Sequence, residues 1–152
     1  MGVEERLAEL GLELPPAPKP VASYVPVALG GDVAYVAGQV PLGEGKPIVT
    51  GRVGEDVSVE EAQALARRCA LQALAALKEE LGSLDRVLGV AKVTVFVASS
   101  ETFTDHSKVA NGASDLLVEV FGEAGKHARA AVGAPSLPLG APVEVEMVVR
   151  LG

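Results

Sequence analysis

Tryptophan is absent, tyrosine and phenylalanine number only two and three, and a single cysteine, Cys69, stands among 152 residues. With so few rings, the core has to be assembled from Ala, Val and Leu, which suits helices packed closely on a sheet. One thiol cannot form an internal disulfide, which fits a reducing compartment. Basic runs are lacking as well: none is longer than Arg67-Arg68, and the formal net charge is −7. Proteins that bind nucleic acid or anionic membrane surfaces gather Lys and Arg on one face, so neither partner is expected. No apolar stretch approaches the ~20 residues that span a bilayer. Glu4 and Glu5 stand where a secretory leader carries basic residues, so a cytoplasmic location is expected. Several chemistries have no motif to carry them. There is no Gly-rich phosphate loop ending in Lys-Ser or Lys-Thr, no dinucleotide fingerprint and no Gly-x-Ser-x-Gly elbow. No His, Cys and carboxylate set has metal-ligand spacing.

What remains reads as one α+β domain. Residues 3–10 carry Val3, Leu7 and Leu10 at helical spacing, and the Pro15-Pro16-Ala17-Pro18-Lys19-Pro20 run that follows cannot continue a helix. Residues 1–20 are therefore taken as an N-terminal helix and Pro-rich extension, and 21–152 as the main domain. Two β-rich runs, 21–29 and 33–40, flank the hairpin signal Gly30-Gly31-Asp32. Residues 42–54 read as loop with at most a short edge strand. Ser58 and Glu61 form a capping box that opens a helix with Ala62, Ala66, Cys69, Ala70, Ala73, Leu74, Leu77 and Leu81 on one stripe. Gly82 stops it. Cys69 on that stripe reads as a small core hydrophobe. A strand over 87–97 puts Val93, Val95 and Val97 on one face and Thr94 and Phe96 on the other. Asp105 is placed as N-cap of a second helix that runs to Phe121, with Gly122 after it. Two strands close the chain, one around Arg129 and one over 142–149.

Two helices and five or six strands fit a two-layer sandwich, a mixed sheet with both helices on one face. Strands apolar on both faces, such as 33–37 and 87–97, leave the other sheet face in need of cover, and self-association is the simplest source. Arg129 stands out within the second-last strand. It lies between Ala128 and Ala130 in a run that otherwise reads as buried, so its partner must come from elsewhere. One reading is a structural ion pair. The other is a planar fork for a ligand carboxylate.

Three segments resemble the Rid family of reactive-intermediate deaminases, the YjgF-like proteins also called endoribonuclease L-PSP or translation initiation inhibitor. They are Ser23-Tyr24-Val25, Ala37-Gly38-Gln39-Val40-Pro41, and Ala128-Arg129 with Leu137-Pro138 and Val143-Glu144-Val145-Glu146. The resemblance covers roughly residues 20–150. It implies a chorismate-mutase-like fold assembled as a homotrimer, with a central barrel of sheets and a cleft between each pair of subunits. It also implies hydrolysis of 2-imino or 2-enamino acids to 2-keto acids and ammonia, with no metal or organic cofactor.

By position, the resemblance gives Arg129 the substrate carboxylate and Gly38 a backbone carbonyl facing the substrate nitrogen. Tyr24 becomes a cleft aromatic, and Glu144 the acid that orients water. Gln39, next to Gly38, is grouped with the binding residues, although a polar residue at a strand end also serves to tie down backbone. Two positions depart from better-known members: Ala37 replaces a Ser and Ala131 replaces a Cys. Both changes remove polar groups, so a non-catalytic module that binds a small carboxylate such as a 2-keto acid is the alternative. Ribonuclease action, carried only by the family's older name, fits poorly with the acidic balance. His106 and His127 are assigned no role.

Overall fold

The structure is a computed structural model that describes residues 2–19 and 22–152. Three helices, α1 (Val3–Glu9), α2 (Val59–Leu81) and α3 (His106–Phe121), accompany seven strands. The strands are β1 (Val27–Gly30), β2 (Val33–Gln39), β3 (Leu42–Gly43), β4 (Lys46–Pro47), β5 (Val87–Ala98), β6 (Ala128–Ala134) and β7 (Val143–Leu151). Five of them form one sheet in the order β1-β2-β7-β5-β6, while β3 and β4 pair apart as a small hairpin. Only the β5–β6 pair is parallel, and α3 lies on the crossover that joins them; the other sheet pairs are antiparallel. The fold is thus α+β with a mixed sheet, and a third, short helix joins the two that the sandwich needs.

Helix α2 begins as the sequence predicts. Glu61 N–H donates to Ser58 Oγ at 3.1 Å, and Ser58 N–H donates to the Glu61 carboxylate at 3.3 Å. Its apolar stripe packs on the sheet: Ala62, Ala66, Cys69, Ala73, Leu74 and Leu77 are all buried. Facing them are Val93, Val95 and Val97 of β5 and Val143, Val145, Met147 and Val149 of β7, the strict alternation of a sheet covered on one side. Helix α3 completes the layer with Val109, Ala113, Leu116 and Leu117. It approaches α2 so closely that a side chain on Gly112 would overlap the Gln63 carbonyl. Helix α1 buries Leu7 against this body, and Glu4 fixes it by accepting from Lys78 Nζ at 2.7 Å and from Leu84 N–H at 2.9 Å.

Three expectations need correction, and one holds with a difference in detail. The first β run begins at Val27, not before, because Pro26 has no N–H for the ladder, although its carbonyl still accepts from Ala37 N–H at 2.9 Å; Val21 lies outside the described residues. The loop over 42–54 holds a two-strand hairpin, not a single edge strand. Asp105 is the N-cap of α3, as expected, although it makes no side-chain capping bond and its carboxylate faces Lys108 at 3.7 Å. The Arg129 strand is not buried. It is the sheet edge, paired only with β5 and exposed along much of its length, because Ala and Gly there cover little surface.

The sheet face turned away from the helices is mixed: it carries Tyr35, Phe96, Val132 and Val148, and between them Lys92, Thr94, Glu144 and Glu146. Tyr35 is 52% and Val132 43% exposed.

Candidate functional site

The end of β2 is irregular. The register with β7 slips between Val36 and Gln39, which leaves Ala37 and Gly38 as a bulge at the sheet margin. Gln72, buried on α2, holds the bulged backbone in place. Its Oε1 accepts from Leu42 N–H at 2.8 Å, and its Nε2 donates to the Val40 carbonyl at 2.8 Å. Gln39 turns inward as well, donating from Nε2 to the Ala37 carbonyl at 3.1 Å. A cavity of about 650 Å³ opens beside this bulge. It is lined by Tyr24, Gly38, Gln39 and Glu144, by Arg68 and Gln72 of α2, by Leu139, and by the proline arm from Pro15 to Lys19.

Within the cavity, Glu144 lies directly over Gly38. A Cβ at position 38 would stand 2.6 Å from Glu144 Oε2, so only glycine leaves the carboxylate where it is. Burial raises the Glu144 pKa above the usual carboxylate value, and the neighbouring charge of Glu146 adds to the shift. A carboxyl group poised in this way suits proton transfer or the holding of a water. Arg68 donates from Nη2 to the Leu42 carbonyl at 3.0 Å, while its Nε is buried without a hydrogen-bond partner. In the sequence Arg68 reads only as half of a two-residue basic run; nothing in its spacing marks it as a cavity residue. Tyr24, 54% exposed, stands at the rim.

Arg129 is elsewhere. It is in register with Val93, on the helix-facing side of the sheet, whereas Glu144 is in register with Phe96 on the opposite side. One strand, β5, also separates β6 from β7. A single chain therefore brings Tyr24, Gly38, Gln39 and Glu144 together and leaves Arg129 apart. The guanidinium has no carboxylate partner among the described residues. Its Nη1 donates to Asn111 Oδ1 at 2.8 Å and to Ser114 Oγ at 3.2 Å, both on α3. Ser114 in turn meets His127 Nε2 at 2.8 Å, and His127 Nδ1 lies 2.6 Å from the Gly125 carbonyl. Asn111 and Ser114 occupy neighbouring turns of α3, an i,i+3 pair that sequence spacing alone shows without revealing what it faces.

Ala131 lies on the same side as Arg129, in register with Val95. Cys69 is fully buried in the core, where desolvation pushes its thiol pKa well up, so it is no nucleophile. Among the described residues no group of three His, Cys, Asp or Glu is gathered closely enough to hold a metal ion, and no helix is long and apolar enough to cross a membrane.

Comparisons with known proteins agree with this architecture. Residues 4–151 match the family described as YjgF/chorismate mutase-like, a description that also names an endoribonuclease. Protein TCP17 of Trypanosoma cruzi is 48% identical over 150 residues, covering 98% of this chain and 94% of that protein. A RutC family protein of Pyrococcus abyssi is 30% identical over 133 residues, covering 87% of this chain and 89% of its own. The crystal structure of Atu1372 from Agrobacterium tumefaciens superposes with a TM-score of 0.89 at 46% identity, covering 99% of this chain and 93% of that one. The family match over residues 4–151, the identities of these relatives and the superposition lead to one conclusion: this chain belongs to the YjgF/chorismate mutase-like family.

Proposed function

We propose that the protein hydrolyses 2-imino or 2-enamino acids to 2-keto acids and ammonia, at sites completed between copies of the chain in a homotrimer. The observation that carries this reading is the state of Arg129, a guanidinium on an exposed edge strand whose partners among the described residues are the neutral oxygens of Asn111 and Ser114. A structural ion pair would have placed a carboxylate there. The split of the candidate residues supports assembly: Glu144 and Gly38 share a cavity, and Arg129 lies on the other side of the sheet. The open sheet face, where Tyr35, Phe96, Val132 and Val148 stand among Lys92, Glu144 and Glu146, supplies a surface through which copies would meet.

In this reading Arg129 of one copy fixes the substrate carboxylate by two charge-assisted hydrogen bonds, a contribution of about 1.5–3 kcal/mol. The Gly38 carbonyl of the next copy accepts from the iminium N–H and favours the protonated, electrophilic form. Glu144 takes a proton from the attacking water and passes it to the nitrogen of the tetrahedral adduct. As the C–N bond breaks, the adduct's hydroxyl becomes the keto oxygen and its proton goes through Glu144 to the departing ammonia, which leaves as ammonium. No further group is required, since the substrate is already activated and positioning supplies most of the acceleration. The fully apolar Ala37 and Ala131 favour one other outcome, a cleft that retains 2-keto acids without turnover.

The test is direct. Freshly generated 2-iminopropanoate is followed as it becomes pyruvate and ammonia, with wild-type protein and with Arg129→Ala. Wild type is expected to accelerate the decay and the variant to lose that acceleration. Equal activity of the two, or none in wild type, overturns the reading. Tight binding of 2-ketobutanoate without turnover would mark the binding module instead.

A further inference from the structure

Four groups around Arg129 form a hydrogen-bond chain with a single consistent polarity. The Gly125 carbonyl can only accept, so His127 Nδ1 carries the hydrogen in their 2.6 Å contact. In the neutral imidazole Nε2 is then an acceptor, and the Ser114 hydroxyl donates to it at 2.8 Å. That choice turns the Ser114 oxygen lone pairs toward Arg129, which donates from Nη1 at 3.2 Å. The second Nη1 hydrogen goes to Asn111 Oδ1 at 2.8 Å. Both hydrogens of Nη1 are thereby used by α3, and the Nε–Nη2 edge is left as the one pair of parallel donors.

We infer that Asn111, Ser114 and His127 are positioning residues that lock the Arg129 plane and reserve its Nε–Nη2 edge for the carboxylate of a short 2-keto or 2-imino acid. The inference rests on the carboxylate-binding reading of Arg129. It goes beyond that reading by assigning three residues on α3 and the α3–β6 connection to ligand recognition. A free arginine side chain loses rotamer entropy when it grips an anion; one already held by two protein acceptors loses less, and the saving appears as affinity. Neutral acceptors are the right holders, because a carboxylate in place of Asn111 or Ser114 would compete with the ligand for the same charge. His127 acts one bond further out, by setting which way the serine hydroxyl points.

The experiment measures 2-ketobutanoate binding by calorimetry and imine turnover in parallel, for Ser114→Ala, Ser114→Thr, His127→Ala and Arg129→Lys, and for Ser114→Ala combined with Arg129→Lys. Ser114→Ala and His127→Ala are expected to weaken keto-acid binding and raise KM by roughly five- to tenfold, with kcat within about twofold. Ser114→Thr, which retains the hydroxyl, restores binding. Lysine has no planar fork to aim, so Ser114→Ala causes no further loss in the Arg129→Lys background. A merely structural serine would instead lower the melting temperature and cost the same in both backgrounds, and that result overturns the inference. So does an unchanged KM in Ser114→Ala. Keto-acid binding that depends on Ser114 without any imine turnover would sink the proposed reaction and leave this inference standing; turnover indifferent to Ser114 would do the reverse. Wild type that neither binds nor turns over sinks both.

Discussion

Glycine 38 and Glu144 show how one missing methyl group shapes a site. The carboxylate occupies the space that a Cβ would need, and it is the flexible end of a side chain that would have to yield. Gly38→Ala is therefore expected to displace the carboxylate without unfolding the protein. Turnover should fall by about a hundredfold, the scale of a lost general base, while the thermal midpoint stays nearly constant. A parallel loss of both would instead indicate a backbone role. Glu144 also makes a pH prediction. Its pKa is raised on folding, so the folded state binds the proton more tightly than the unfolded chain does. Stability from this group is thus full at low pH and is lost as pH rises through the folded pKa. Glu144→Gln removes the effect. The variant should gain stability relative to wild type as pH is raised from acid toward neutrality, as denaturant titrations at several pH values would show. A constant difference across that range would contradict the assigned burial of the charge.

At the level of elements, the helices were legible and the sheet margins were not. The Ser58–Glu61 capping box and the Ala-Leu stripe of α2 are local patterns, and the structure realises both. The Val93-Val95-Val97 alternation likewise matches the observed faces of β5. What a local pattern cannot carry is position in the sheet. Small residues around Arg129 resemble a buried strand until the strand order places them at the edge. Gln39 drew notice as a polar strand end, yet its amide is engaged by the bulge that it helps to shape. Arg68 and Ser114 gave no sequence signal, because what matters about them is what stands opposite. Two predictions belong here. Ser58→Ala should cost about 1 kcal/mol by chemical denaturation, the usual value of a lost N-cap. Gly112→Ala should cost more, about 1–3 kcal/mol, because the obstacle is backbone of α2 and the helices must part. A neutral Gly112→Ala would mean that the α2–α3 approach is looser than described.

For the whole molecule, the α+β family fold follows from both patterning and comparison, whereas the trimer stays part of the proposal. An open sheet face on which Tyr35 and Val132 are exposed, and a cavity that lacks the chain's own Arg129, are explained together if copies associate. The most direct measurement is complementation. Arg129→Ala and Glu144→Gln proteins, each inactive alone, are unfolded and refolded together, and mixed oligomers are verified by native mass spectrometry. If each site takes Arg129 from one copy and Glu144 from the next, one interface in every mixed trimer is intact, and random mixing should restore about a quarter of wild-type imine hydrolysis. Mixed trimers that remain inactive would contradict the shared site.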